Sequence, residues 1–327
     1  MHDEIIKKIL ESCKASKIEP ENFHRIKKQV SGKKIAFVDG GNAQIIESSN
    51  FSLSLVRVGC VSYLGGKKIA FKKCDFFVFV NAVSRNDKLL YEASFYGAKP
   101  HLLESFAFDS LDKTLMLGMN RADISSIAGA IRRFAELRMA RIISETDGFC
   151  DIITLDGSLQ ASITHEKDYM DELRESCSKN NVILTAISKT SPLLTDNANP
   201  LSAVLGSISN TPSWFYHPIA HISGESHKAD MFLAKFHSNS KHVFRLDILN
   251  SQKEHAEEAI SILSGYCTDP IFPGYPYGLI EADRISRVSN REKESLNTMF
   301  LLKLGNKNIE KRLSSSNAHS ILDKISF

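Results

Sequence analysis

Two short apolar runs, each ending in an Asp-Gly pair, constrain the fold of this chain more than any other feature: Lys33-Lys34-Ile35-Ala36-Phe37-Val38-Asp39-Gly40-Gly41 and Asp151-Ile152-Ile153-Thr154-Leu155-Asp156-Gly157-Ser158-Leu159. Each is short, rich in β-branched residues and stopped by glycine, which predicts a buried strand with a carboxylate at its carboxyl end. In open α/β sheets that end is where ligands bind. If the two strands are neighbours, Asp39 and Asp156 converge on one point and, as hard oxygen donors, can share a divalent cation. The plainer alternative is that each Asp-Gly pair marks a hairpin turn.

A chain of 327 residues with 43% hydrophobic and 24% charged side chains is long enough to bury a core as one large α/β domain or two smaller ones. Its net charge of +3, from 41 basic and 38 acidic residues, excludes a global polycation, so any nucleic-acid site must be a local patch. Basic pairs occur at Lys67-Lys68, Lys72-Lys73 and Arg132-Arg133, but solvated faces account for such pairs as readily. The six cysteines are widely spread with no Cys-x-x-Cys, which argues for reduced, mostly buried thiols and against a zinc site. No stretch approaches the roughly 18 apolar residues of a membrane span, so the expected location is cytoplasmic, with no membrane partner.

Along the chain, apolar positions at Ile5, Ile9, Leu10 and Cys13 predict an amphipathic helical extension over residues 1–30. Strand patterns follow at Lys34 to Val38, Phe51 to Tyr63 and Lys68 to Val83, the last two joined at Gly65-Gly66, which predicts an antiparallel meander. Residues 84–120 are less regular and are read as a helix with a surface excursion. From Arg121 to Ser144, Ile124, Ala128, Ile131, Ala135, Met139 and Ile142 recur at helical intervals, with Glu136 on the shoulder of the apolar face. The Asp156 strand, a helix over Tyr169 to Lys179 and a strand over Val182 to Lys189 then alternate, implying parallel pairing by crossover. Met231 to His237 and His242 to Leu249 read as a second hairpin, followed by helices over Lys253 to Ser264 and Tyr277 to Val288. One elaborated domain over residues 31–305, with a mobile tail at 306–327, fits this order best.

A meander bearing the first acid, a helix bearing a second and a parallel strand bearing a third form the ground plan of a ribonuclease-H-like α/β fold, a mixed sheet flanked by helices. The motifs Val38-Asp39-Gly40-Gly41, the Arg133 to Ala140 helix with Glu136, Leu155-Asp156-Gly157-Ser158-Leu159, Ile187-Ser188-Lys189-Thr190-Ser191 and Tyr275-Pro276-Tyr277-Gly278-Leu279-Ile280-Glu281-Ala282-Asp283 resemble, in order and spacing, those of the NurA nucleases. The resemblance implies a Mn²⁺-dependent nuclease degrading DNA from a 5′ end, a homodimer docked on a HerA-type hexameric ATPase during DNA end resection in recombinational repair. By the same match Asp39, Glu136 and Asp156 are the metal-binding acids and Lys189 lies near the scissile phosphate. Asp283 stands where such proteins carry a late metal-binding His or Asp.

The residue types suit that chemistry on their own terms. Two-metal hydrolysis holds ions about 3.5 to 4 Å apart and needs a carboxylate that touches both, for which Asp39 is the natural choice. A lysine offsets charge developing on the phosphate. Mn²⁺ accepts an oxygen-rich shell and Mg²⁺ can substitute. Each residue also has a plainer role open to it: Glu136 pairing with Arg132 or Arg133, Asp283 pairing with Arg284 on a surface helix, Tyr275 and Tyr277 packing their loop or stacking on a base. His217 and His221 have the four-residue spacing of a helical metal pair but lack the Glu of a zinc protease, and Gly224-Glu225-Ser226-His227 lacks the closing glycine of a nucleophile elbow. No Gly-x-x-x-x-Gly-Lys loop is present, so ATP hydrolysis by this chain is not expected. The remaining alternative is a non-catalytic DNA-binding or scaffold protein that keeps the fold without its metals.

Overall fold

The computed structural model describes residues 18–27, 32–97, 105–209, 211–219 and 224–305, together with His2, Ile5, Ile6 and Leu103. Its strands are β1 (Phe23–Arg25), β2 (Lys34–Ser48), β3 (Phe51–Leu64), β4 (Lys67–Arg85), β5 (Lys88–Tyr96), β6 (Phe106–Asp109), β7 (Ile152–Asp156), β8 (Ile183–Ser188), β9 (Trp214–Tyr216), β10 (Ala229–Lys235) and β11 (Phe244–Leu249). The helices are α1 (Ile127–Ser144), α2 (Glu166–Lys179), α3 (Leu201–Ile208), α4 (Ala256–Ser264), α5 (Tyr277–Ser286) and α6 (Asn290–Leu304). All the strands join one eleven-stranded sheet in the order β1-β9-β10-β11-β8-β7-β2-β3-β4-β5-β6.

The expected mixed sheet is present. β2 to β6 form an antiparallel meander, whereas β2, β7 and β8 pair in parallel, and α1 and α2 lie in the connections that such pairing requires. On one face α1 buries Ile127, Ile131, Phe134 and Leu137 among Val38, Val58, Ile153 and Leu155. On the other, α4 and α5 set Ile260, Leu263, Leu279 and Ala282 against Phe37, Val61, Ile187 and Ile248. A fully buried side chain of the Leu or Phe class contributes roughly 1.5–3 kcal/mol, so these two apolar layers fix the helices on the sheet.

The Asp39 run departs from its sequence reading. β2 does not stop at Asp39-Gly40-Gly41 but continues to Ser48, paired throughout with β3. The two glycines serve packing, not a turn. A Cβ at Gly40 would lie 2.6 Å from Glu136 Oε1, and one at Gly41 would lie 2.4 Å from the Ser286 carbonyl oxygen. Successive strand residues face opposite sides, so α1 rests on β2 at Gly40 and the end of α5 rests on it at Gly41, with Asp39 next to both contacts. β7, in contrast, ends at Asp156 as expected.

Other differences have equally local causes. The stretch expected to hold a helix before Asn120 forms β5 and β6, because β4 offers Phe77 to Arg85 as an open edge for Lys88 to Tyr96. α3 lies in a segment rich in turn formers and is held by Leu201 and Leu205 against Trp214. α6 has no buried residue; its half-buried Leu296 and Phe300, one turn apart, pack it on Ile45 and Leu55. Its Glu292 also bonds Arg57, which is buried on β3 and bonds Asp75 and the Arg287 carbonyl as well. Within the expected amino-terminal helix over residues 1–30, the described His2, Ile5 and Ile6 are helical, whereas Phe23–Arg25 is an edge strand paired with β9; the tail at 306–327 lies outside the described residues. Cys60, Cys74, Cys150, Cys177 and Cys267 are free thiols, and Cys13 lies outside the described residues.

Candidate active site

Register brings the two aspartates together. Val38 on β2 and Leu155 on β7 are partners in a parallel pair, so the following residues, Asp39 and Asp156, emerge side by side. α1 passes Gly40 at contact distance and sets Glu136 beside them. β8 runs parallel to β7, with Ile187 opposite Asp156, and delivers Lys189, whose Nζ lies 2.5 Å from Asp156 Oδ2. Asp39, Glu136 and Asp156 line a cleft of about 520 Å³, together with Arg132, Arg133, Ser158 and Thr114.

The acids are held at an electrostatic cost. Asp39 and Glu136 are 5% and 3% exposed. Burial, then the charges of Glu136 and Asp156, push the Asp39 carboxyl from 3.8 to about 7, against the bond that the Gly40 N–H donates to its Oδ1 at 2.7 Å and the charge of Lys189. Glu136 is also raised, first by burial and then by Asp156, although Arg132 and Arg133 oppose the shift. Arg132 Nη1 donates to Glu136 Oε1 at 2.7 Å and to the Gly40 carbonyl at 3.0 Å. Burial disfavours the Lys189 charge, yet its bond to Asp156 and the fields of Asp156, Asp39 and Asp283 hold its pKa above the ordinary value.

Among the described residues no three His, Cys, Asp or Glu side chains already close around one point. Glu136 is turned toward Arg132, and Asp156 toward Lys189. The donor set nonetheless fits a hard divalent cation. Three carboxylates repel one another in a buried cleft, and Oδ2 of Asp39 has no hydrogen-bond donor among the described residues. A divalent ion would relieve that repulsion with the oxygen donors such an ion prefers.

Of the remaining sequence candidates, Asp283 on α5 sits at the margin. It is bonded to Arg287 at 2.6 Å, not to Arg284, and its charge reaches Lys189 and Tyr275 without direct contact with the three acids. Tyr277 packs edge-on against Tyr63 and also meets Tyr266, so it is a core residue here and not a free stacking platform. Tyr275 is 2% exposed and packs on Phe272, but its ring also lies 5.4 Å from Lys189 Nζ. Its hydroxyl is close to Asp156, outside hydrogen-bonding geometry and without another partner; burial, then Asp156 and Asp39, raises its pKa strongly. His217 stacks on Phe232, and His221 lies outside the described residues.

Sequence reasoning offered Arg133 only as an ion-pair partner of Glu136 and missed its other bonds, along with Glu166 and Asp247. Arg133 Nε donates to Glu166 Oε1 at 2.8 Å, and its Nη2 donates to the Ser158 carbonyl at 2.6 Å. Glu166, 1% exposed, in turn accepts the N–H groups of Ser162 and Ile163. Behind the same loop Asp247 accepts the Leu159 N–H and both Arg245 Nε and Nη2, with His227 beside it. Nothing in the local pattern of Arg133 distinguishes it from Arg132; only the fold buries the one and leaves the other part-exposed.

No curated protein matches the sequence. Among solved structures, the crystal structure of the NurA nuclease from Sulfolobus solfataricus superposes with a TM-score of 0.56 at 17% identity, covering 93% of this chain and 94% of that one. The catalytic domain of human endonuclease V gives a TM-score of 0.42 at 11% identity, covering 90% and 96% of the two chains. The first of these likenesses establishes a shared fold. The model of the NurA domain matches residues 33–288, a span that begins just before β2, ends just after α5 and contains Asp39, Glu136, Asp156, Lys189 and Asp283, and by that match the chain belongs to the NurA family of nucleases.

Proposed function

We propose that this protein is a metal-dependent deoxyribonuclease that hydrolyses phosphodiester bonds at DNA ends, with Mn²⁺ as the resident ion and Mg²⁺ as a substitute. The observation that carries the reading is the meeting of Asp39, Glu136 and Asp156, from three separate elements, beside Lys189 in one cleft. When bound, divalent ions supply activation of the attacking water and stabilisation of the leaving oxygen. Asp39, on the first strand of the meander, would hold both ions, with Asp156 and Glu136 each completing one side. Lys189 keeps a positive charge at the Asp156 edge of the cleft, where it would offset charge on the phosphate. Tyr275 excludes water from that edge and keeps a hydroxyl near Asp156.

Family membership supports extending the proposal to 5′-to-3′ degradation by a homodimer working with a HerA-type hexameric ATPase in end resection. The first experiment is degradation of 5′- and 3′-labelled linear DNA by the purified protein, with and without a HerA-type partner, in Mn²⁺, Mg²⁺ or EDTA, beside Asp39→Asn and Asp156→Asn. Loss of label that needs the ion and both aspartates is the expected result. Unchanged activity in either folded variant would discard the site, and no activity under any condition would favour the scaffold role.

A further inference from the structure

The three acids come from β2, α1 and β7, and β2 and β7 are locked to each other by their ladder. α1 has no such ladder to β7. Arg133 supplies the tie. From α1 its guanidinium spans four groups: Glu136 Oε2 at 3.5 Å, Glu166 Oε1 at 2.8 Å, the Asp156 carbonyl at 3.4 Å and the Ser158 carbonyl at 2.6 Å. Two of these lie on the segment that leaves β7 at Asp156. Glu166 closes the ring, because the Ser162 and Ile163 N–H groups that it accepts belong to the same segment.

We infer that Arg133 and Glu166 are a positioning couple that sets the separation of Glu136 from Asp156 and so prepares the cleft for its ions. The argument is geometric. A planar fork can bond several acceptors at fixed angles, which a point-charge ammonium cannot. Both members are largely buried, with side-chain exposures of 12% and 2%, so each depends on the other to remain charged there. Arg132 is different: its side chain is 33% exposed and, among the described residues, its bonds reach Glu136 and β2 alone. Arg133 is thereby assigned a positioning role, acting through the two acids, although it also lines the cleft.

The inference rests on the nuclease reading above, and the test separates the two. Mn²⁺ binding to the full chain is measured by electron paramagnetic resonance and by calorimetry, beside kcat and KM on labelled linear DNA, for the wild type, Arg133→Lys and Glu166→Gln. Removing partners that orient metal ligands typically weakens metal binding about 10- to 100-fold, and that loss is expected for Arg133→Lys, with lower kcat and unchanged KM for DNA. Glu166→Gln, which keeps an acceptor for Arg133 Nε, should shift Mn²⁺ affinity in the same direction by less. A purely structural role would lower the melting temperature and leave the Mn²⁺ Kd alone. Folded variants with wild-type Mn²⁺ affinity overturn the inference, as does a rise in KM alone, which would make Arg133 a substrate contact. If Arg133→Lys fails to fold by circular dichroism, Glu166→Gln decides by the same criteria. A wild type that neither binds Mn²⁺ nor cuts DNA refutes the nuclease reading, and this inference with it.

Discussion

Replacing Asp39 by Asn should make the ion-free protein more stable, by an amount that depends on pH. In the folded chain Asp39 keeps its proton to about pH 7, whereas its ordinary value is 3.8. The native state therefore binds more protons than the unfolded chain between those values, and stability falls as pH rises through that window. At about 1.4 kcal/mol per pH unit, the full loss above pH 7 is roughly 4 kcal/mol. Asn removes that cost but weakens the bond from the Gly40 N–H, worth about 1 kcal/mol, so the variant should gain roughly 3 kcal/mol at pH 8. At pH 4 it should be slightly less stable than the wild type. Urea unfolding in EDTA from pH 4 to 9 reads the difference directly, and a constant offset between the two proteins across that range would refute the reasoning. Mn²⁺ at about 1,000 times its Kd should reverse the order, since it adds about 4.1 kcal/mol to a protein that binds it and nothing to one that does not.

Other perturbations probe the surroundings of the acids. Tyr275→Phe removes a buried hydroxyl that has no hydrogen-bond partner, so the melting temperature should stay level or rise slightly while DNA cleavage falls; a clear loss of stability would mean the hydroxyl is bonded after all. Lys189→Ala should lower kcat about 100-fold with little change in unfolding free energy, because the lysine is half exposed. In Gly278→Ala the new Cβ would lie 2.1 Å from the Phe37 ring, and forcing α5 off the sheet should cost about 3 kcal/mol by urea unfolding and reduce cleavage together. Arg57→Ala should destabilise by about 2 kcal/mol without altering Mn²⁺ affinity, since it severs the bonds to Asp75 and Glu292 that hold α6.

The strands bearing Asp39 and Asp156, and the helix bearing Glu136, were legible because their apolar residues recur with the period of the element that they form. Lys189 was legible as the end of a strand that follows the same pattern. What the pattern could not carry was context. Gly40 and Gly41 look like a turn because the local signal for a turn and for a close helix contact is the same residue. α6 buries no residue fully, and β5 becomes a strand because an open edge of β4 receives it. Arg133 and Glu166 lie far apart in sequence, and their pairing exists only once α1 has settled on β7. Tyr275 packs its loop, one of the two roles open to it in the sequence, but the packed ring also faces the acids, which no local spacing announces.

α5 is the last part of the site in chain order, and it does more than cover β2 and β3. Its seat is shaped for it alone: Gly41 and Gly59 leave room for Ser286 and Ile285, and Phe37 presents its ring where Gly278 must pass. A nascent chain still short of this helix has already made Asp39, Glu136 and Asp156, yet β2 would lie bare on one side, without Tyr275 or Asp283. The order of synthesis thus leaves the Phe37 face of the sheet without this cover until α5 emerges and docks.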